Sequence, residues 1–538
     1  MDGWLIVNHS YNCRILRLRL IPTLFSLVLA LPILGIFTAL LNPHAGSAEV
    51  LLHLFNTMLP SYLFTTLIMT IGVAWGVASM GVICAWLVAT CDFPGKRIYE
   101  WALILPLAMP AYVMAYAYTD FFQFSGPVQS FLRAWLGVSK LTWFPDPRSI
   151  WGAICVLSLA LYPYVYLLCR TAFLERSPRL IDAARTLGAS PWGAFWQVAL
   201  PMARPATMAG VALALMEALA DYGAMSYFGV QTMTTGIYRA WLGMGDRIAA
   251  VQLSAALLGV IFLLLMLEHV SRRQMRFAAS GQRFRQIKPW RLRGKKAFWA
   301  STACAMPMLF GFVLPVVIMA YLALASGEGF QPRYWDWLGN TLFLSTLTAL
   351  CAVILAVWLA YSARVSKGIW QAIANRMVSL GYAVPGAVLA VGILILLAQL
   401  DIAWLLSGSI VILVYAYLAR FLSSGLQTVE AGLSKITPSM DASAMSLGSG
   451  RWELLRRIHV PLLRRSLLTA GLLVFVDVMK ELPATLVLRP FNFDTLAVVT
   501  YQLAADERLA EAAWPALTIV LAGLIPVIVL SRAMSQDK

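Results

Sequence analysis

The sequence predicts an all-α integral membrane protein of about twelve transmembrane helices in two parallel six-helix repeats, each with a cytoplasmic loop of two short helices. Composition, loop charge and a recurring register carry this. Of 538 residues, 60% are hydrophobic and 12% charged, against roughly 45–50% and 25% in soluble globular chains. That balance excludes a soluble enzyme. Lys and Arg total 41 against 25 acids, a net charge of +16. These cations fall in short runs between apolar stretches, which marks cytoplasmic loops and not a nucleic-acid surface. The seven cysteines are scattered without a C-x-x-C pair, so neither a disulfide framework nor a zinc site is indicated.

Apolar runs of membrane-crossing length occupy 20–41, 61–90, 101–118, 150–169, 206–228 and 249–267, then 298–325, 341–363, 377–399, 404–422, 466–488 and 514–531. The run from Leu20 to Leu41 exceeds the roughly 7–15 residues of a secretory-signal core and reads as an uncleaved anchor. Orientation follows from the loops. Residues 42–60 hold no Lys or Arg, 170–205 hold five, 268–297 ten and 420–465 seven. Positive residues stay on the cytoplasmic side, so both termini are expected there. The basic stretch 271–297 reads as a solvated linker, with an acidic-lipid site as the alternative.

Adding 260 to a residue number in the first half repeatedly meets the same residue in the second. Pro178 meets Pro438, Ala184 meets Ala444, Gly188 meets Gly448, Trp192 meets Trp452, and Pro201 meets Pro461. The chain therefore divides into a first repeat at 1–270, the linker at 271–297 and a second repeat at 298–538. An even number of spans gives both halves one orientation, related by an axis along the membrane normal.

The best-resolved local signal lies in the long basic loop of each half. Ser177-Pro178 reads as N-cap and first helical residue, Asp182-Ala183-Ala184 as helix interior, and Gly188 as a left-handed stop. Ser190-Pro191 opens a second helix that presents Trp192, Phe195, Trp196 and Val198 before Leu200-Pro201 ends it. The second half repeats this with Thr437-Pro438, Ala444, Gly448, Trp452, Leu455, Ile458 and Val460-Pro461. Large apolar residues on a polar loop either pack on the protein's own spans or form a docking face for another protein.

The Asp-Ala-Ala run, Gly188 and the closing Leu-Pro resemble the EAA loop of ABC importer permeases. Further stretches, Phe121 to Pro127, Gly381 to Gly386, Glu481 to Thr485 and Arg489 to Thr495, resemble the fused permeases of bacterial ferric-iron importers, and the resemblance runs from about 60 to 530. It implies the inner-membrane permease subunit of an ATP-driven importer, fed with ferric iron by a periplasmic binding protein. It also implies two copies of a cytoplasmic ABC ATPase docked on the loops, through Asp182, Ala183, Ala184, Gly188, Trp192 and Pro201 in one and Ala444, Gly448, Trp452 and Pro461 in the other. No cofactor is expected on this chain, ATP and Mg being used by the partner. One departure matters: Ala442 stands where Asp182 would recur, and Asp441 comes one residue early, about 100° round a helix. The two docking sites are thus expected to be unequal. No G-x-x-x-x-G-K-[ST] phosphate loop occurs in the sequence, which assigns hydrolysis to another chain.

Glu217 lies twelve residues past Pro205, about 18 Å along a helix, so it should pass the bilayer midplane. Asp221 follows one turn on, and their counterparts are Asp477 and Glu481, with Lys480 added in the second copy only. Ionisable residues at this depth are costly and normally face a bundle interior or a watery cavity. The five are expected to line the translocation pathway, an acidic lining that suits a cation. The alternatives are a helix that ends early, leaving the acids among headgroups, or Lys480 pairing with an acid. Tyr112, Tyr116, Tyr118, Tyr162, Tyr164 and Tyr166 read as an interfacial belt, with hard oxygen ligands for Fe³⁺ as the alternative. No histidine pair at i, i+4 occurs among the five, and no metal site is expected. Acids at 146, 246, 494, 506, 507 and 511 fall on expected periplasmic loops. Two rivals stay open: the same machine with thiamine, a polyamine or a phosphonate as cargo, and an ion-gradient-driven secondary transporter, which leaves both loops unexplained.

Overall fold

The computed structural model describes residues 2–41, 47–176, 183–184, 186–273, 289–325, 332–366, 369–399 and 408–536. Among them nine helices are long and apolar enough to cross a membrane, and two bent helix pairs raise the number to eleven. The helix in the eleventh expected position, Val460–Met479, carries Arg464, Arg465 and Asp477 and does not qualify on composition. The fifth and eleventh spans also lie earlier than expected. They run Trp192–Ala220 and, after a short lead-in from Arg451, Val460–Met479.

The expected straight spans at 101–118 and 377–399 are both broken. Lys96–Ala108 meets Ala111–Leu136 at 92°, and Ile369–Ala383 meets Gly386–Gln399 at 115°. Proline is the cause in each. Its ring excludes the preceding residue from the helical region, and Met109 before Pro110 and Val384 before Pro385 are extended, with ψ of 115° and 123°.

The packing divides the chain into two compact units that cut across chain order. One comprises Met1–His44, Pro332–Val498 and Ile528–Lys538; the other comprises Ala45–Gln331 and Val499–Val527. The first helix, Asp2–Leu41, thus packs among the helices of the second repeat. Pro32 cannot donate to Val28 O one turn back, and Tyr415 Oη donates to that freed carbonyl at 2.5 Å. On the same helix Pro32 touches the backbone at Gly392, where a Cβ would collide with its carbonyl oxygen.

In the other unit Leu59–Thr90, Ile150–Arg176 and Leu200–Ala220 pack together. A side chain at Gly210 would come within 2.7 Å of the Val165 Cα, so these two helices meet backbone to backbone, as small residues permit in lipid. Lys295–Met308 and the helical turns after it, on the far side of the linker in sequence, belong to this unit too. Most of the linker lies outside the described residues. Its described end forms a parallel strand pair, Trp290–Arg291 against Cys91–Asp92.

Candidate functional site

Each long basic loop folds into an elbow. Asp182, Ser177 and Pro178 lie outside the described residues. In the first elbow Ala183 is exposed and Ala184 buried. Gly188 takes φ +82°, and Ala189 N–H donates back to Ala184 O at 2.9 Å, the six-residue closure of a Schellman stop. Ser190 Oγ then accepts from Gly193 N–H at 3.1 Å and caps the next helix. The second elbow matches it. Pro438–Ser446 is helical, Ala444 is buried, Gly448 has φ +86°, and Ser449 N–H donates to Ala444 O at 3.1 Å.

The expectation that Leu200-Pro201 and Val460-Pro461 end the second helix is corrected. Each helix runs on into its span through a π turn, Phe195–Ala199 and Leu455–His459, again 260 residues apart. A proline lacks the N–H for the i−4 carbonyl and its ring clashes there. Opening the preceding turn to i−5 bonding, as in Leu200 N–H to Phe195 O and Val460 N–H to Leu455 O, accommodates Pro201 and Pro461 without a break.

The apolar residues of the elbows divide between the two expected roles. Leu187 and Leu447 are 88% and 86% exposed, and Trp192 and Trp452 are 58% and 72% exposed. Phe195 is buried: it stacks on Trp192 with centroids 5.2 Å apart and lies 5.4 Å from Trp86. Trp86 also meets Phe173 at 5.5 Å and Trp290 of the linker at 5.7 Å. Aromatic packing therefore holds the first elbow on its spans.

The second elbow is held by charge. Arg364, near the end of Tyr334–Ser366, donates Nε–H to Asp441 Oδ2 at 2.7 Å, Nη1–H to Leu433 O at 3.0 Å and Nη2–H to Ile436 O at 2.8 Å. Asp441 Oδ1 lies 2.8 Å from His459 Nε2. His459 is fully buried, with its ring edge-on to Tyr361 at 5.5 Å. Burial pushes the Asp441 carboxyl up, but the hydrogen bonds and charges of Arg364 and His459 outweigh it and hold its pKa below the usual aspartate range.

At the other end of each span the acids separate. The fifth helix stops at Ala220, so Asp221 does not share a helix face with Glu217. Asp221 Oδ1 accepts from Ala224 N–H at 2.8 Å and caps the short helix Gly223–Tyr227. The eleventh helix likewise stops at Met479, and buried Glu481 caps Pro483–Leu488. It accepts from Ala484 N–H at 2.9 Å, Thr485 N–H at 3.1 Å and Thr485 Oγ1 at 2.6 Å. Arg420 Nη1 lies 3.3 Å from the same carboxylate. Glu217 and Asp477 are half-buried on their helices, and Lys480 Nζ pairs with Asp477 Oδ1 at 3.0 Å.

Tyr112, Tyr116, Tyr118, Tyr162 and Tyr166 are buried in the helix packing, which corrects the interfacial belt for these five. Tyr166 donates to Glu100 O at 3.0 Å, and Tyr118 donates to Phe310 O. Among the described residues no group of three His, Cys, Asp or Glu comes together to hold a metal. A cavity of about 350 Å³ beyond the end of the fifth span is lined by Tyr62, Tyr222, Ser226, Gln231, Tyr238 and Arg239, among others.

Sequence reasoning missed Arg364, Arg420 and His459. Arg420 carried a signal, a lone cation inside the apolar run 404–422. Arg364 reads as one more cation at a span end, and its carbonyl partners are set by the fold alone.

Residues 78–276 match the family described as binding-protein-dependent transport system inner membrane component. The chain is 27% identical over 528 residues to the Fe(3+)-transport system permease protein FbpB 2 of Haemophilus influenzae, covering 96% of this chain and 98% of that protein. The putative ferric transport system permease protein FbpB 1 of the same organism is 25% identical over 72% of this chain and 63% of its own length. The molybdenum transport system permease protein ModB of Escherichia coli K12 is 31% identical over 149 residues, 28% of this chain and 62% of that one.

Proposed function

We propose that this chain, a fused inner-membrane permease of the binding-protein-dependent transport class, carries ferric iron inward in an ABC importer. The observation that carries the reading is the pair of elbows at one fixed offset, each with a left-handed glycine and an exposed tryptophan, in a chain aligned along nearly its whole length with a ferric-iron permease. Two copies of a cytoplasmic ATPase take the elbows through the faces at Asp182, Leu187 and Trp192 and at Leu447 and Trp452. ATP and Mg are used there, and this chain supplies no hydrolytic site. A periplasmic binding protein delivers the cargo at the opposite face, and both termini lie in the cytoplasm. The two six-span repeats, 1–270 and 298–538, are copies joined by the linker.

Glu217 and Asp477, with Lys480, line the pathway; Asp221 and Glu481 anchor the segments that follow it. An acidic lining attracts a cation, and this favours iron over an oxyanion, the cargo class suggested by the short match to the molybdenum permease. Radiolabelled Fe³⁺ uptake in a deletion strain, complemented with this gene, tests the cargo, with molybdate and thiamine as controls. Restored iron uptake alone is expected. Restored molybdate or thiamine uptake without iron would replace the cargo, and transport on an ion gradient without any ATPase would remove the whole reading.

A further inference from the structure

We infer that Arg364, Asp441 and His459 form an ionic clamp that positions the second elbow and makes it move as one body with the ends of three spans of its own compact unit. The inference rests on the coupling role proposed for the elbows. One guanidinium reaches the carbonyl of Leu433, which ends the span Ile410–Leu433, and that of Ile436 in the turn after it. A cation at a helix C-terminus is favourable there. The same guanidinium holds Asp441 in the first turn of the elbow helix, and Asp441 holds His459 in the π turn at the base of the eleventh span. Three segments that a power stroke must move together, the end of one span, the elbow and the start of the next, thus meet at one carboxylate and one guanidinium.

The early position of Asp441 acquires a reason. At the register of Asp182 an acid would lie about 100° further round the helix, and the one-residue shift places it on Arg364 and His459. In the first repeat the counterparts of Asp441 and His459 are Ile181 and Ala199, neither of which can make these bonds. The first elbow leans on Trp86, Phe173 and Phe195. Apolar burial is non-directional, whereas the charge-assisted hydrogen bond from Arg364 Nε to Asp441 fixes distance and angle. The second elbow is therefore the stiff arm of the pair, and Asp441 serves its own chain.

The test uses the full importer reconstituted in liposomes, with radiolabelled Fe³⁺ presented on the binding protein. It reads ATPase co-purification, ATP hydrolysis and cargo moved per ATP. Asp441→Asn keeps the shape and weakens the clamp. It should leave ATPase co-purification intact while cargo per ATP falls about tenfold, the factor that one charge-assisted hydrogen bond is worth. His459→Ala should act alike, and His459→Gln, which keeps a donor toward Asp441, should recover at least half of the loss. Asp441→Asn and His459→Ala with wild-type cargo per ATP would overturn the clamp alone. So would loss of ATPase binding in Asp441→Asn, since the acid would then be a docking contact. Failure of the unaltered chain to retain the ATPase would overturn the coupling reading and the clamp with it.

Discussion

Replacing Glu481 by Ala tests the structure at a place where the magnitudes are large. The carboxylate is buried and accepts from Ala484 N–H, Thr485 N–H and Thr485 Oγ1 while sitting 3.3 Å from the buried Arg420 guanidinium. Truncation removes the counter-ion of a buried charge, which costs about 3–5 kcal/mol, and the cap of Pro483–Leu488, worth about 1 kcal/mol. Glu481→Ala is therefore expected to destabilise the chain by about 4–6 kcal/mol, measured by denaturant titration in mixed micelles with tryptophan fluorescence. The double variant Arg420→Met, Glu481→Ala removes both charges, and its deficit should shrink to the cap's share of about 1 kcal/mol. Asp221→Ala, which removes the acceptor for Ala224 N–H, should lose about 1 kcal/mol. A single Glu481→Ala variant within about 1 kcal/mol of wild type, or a double variant as damaged as the single, would refute the assignment of a buried pair.

Valine at Gly188 and Gly448 together forces side chains into φ of +82° and +86°, a strain of roughly 1–2 kcal/mol at each. Folding in the membrane should survive, because nothing lies within 4 Å of either position, and ATP hydrolysis should separate from uptake. Unchanged cargo per ATP in the double variant would remove the elbows from coupling. Glu217→Gln with Asp477→Asn should slow Fe³⁺ uptake about tenfold or more while ATP hydrolysis and complex assembly stay as they are. Wild-type uptake would take both acids out of the pathway. For Asp441 the sign of the pH effect follows from a carboxyl held below its unfolded value. The stability it adds is complete above that value, about 3.9, and disappears as pH falls through the lower folded one. The stability gap between wild type and Asp441→Asn, read by thermal unfolding, should be constant from neutral pH to about 5 and close below about 4.

Much of the architecture was legible because lipid leaves few choices. Apolar runs locate spans, and the 260-residue register located the elbows with their stops, since only glycine takes φ +82° or +86° without strain. The prolines were visible but misread. Pro201 and Pro461 looked like stops, yet each sits well inside a longer helix, because a π turn removes the clash that would end it. Pro110 and Pro385, passed over as span interior, are the ones that break helices, since the residues before them went extended. Helix length decided the acids as well. An i, i+4 spacing puts Asp221 under Glu217 only if the helix continues, and it ends at Ala220. The clamp was out of reach, because Arg364 and Asp441 are 77 residues apart and nothing in either neighbourhood points to the other.

The two elbows and the spans they lead into share a backbone plan and differ in what fastens it. Asp221 and Glu481 do the same capping work at the same offset, each accepting from the N–H three residues on, at 2.8 and 2.9 Å. Only Glu481 gains Arg420, whose counterpart is buried Ala160. Only the second elbow gains His459, whose counterpart is buried Ala199. The eleventh span thus has a polar link at its start, His459 to Asp441, and another just past its end, Glu481 to Arg420, where the fifth has aromatic contacts at its start and the Asp221 cap past its end. Between helices in a bilayer there is little hydrophobic drive, so packing and polar links set how firmly they hold together. On the coupling role proposed above, a stroke applied equally to two such elbows would be carried more stiffly by the polar-tied span than by the other, an asymmetry that needs none in the ATPase.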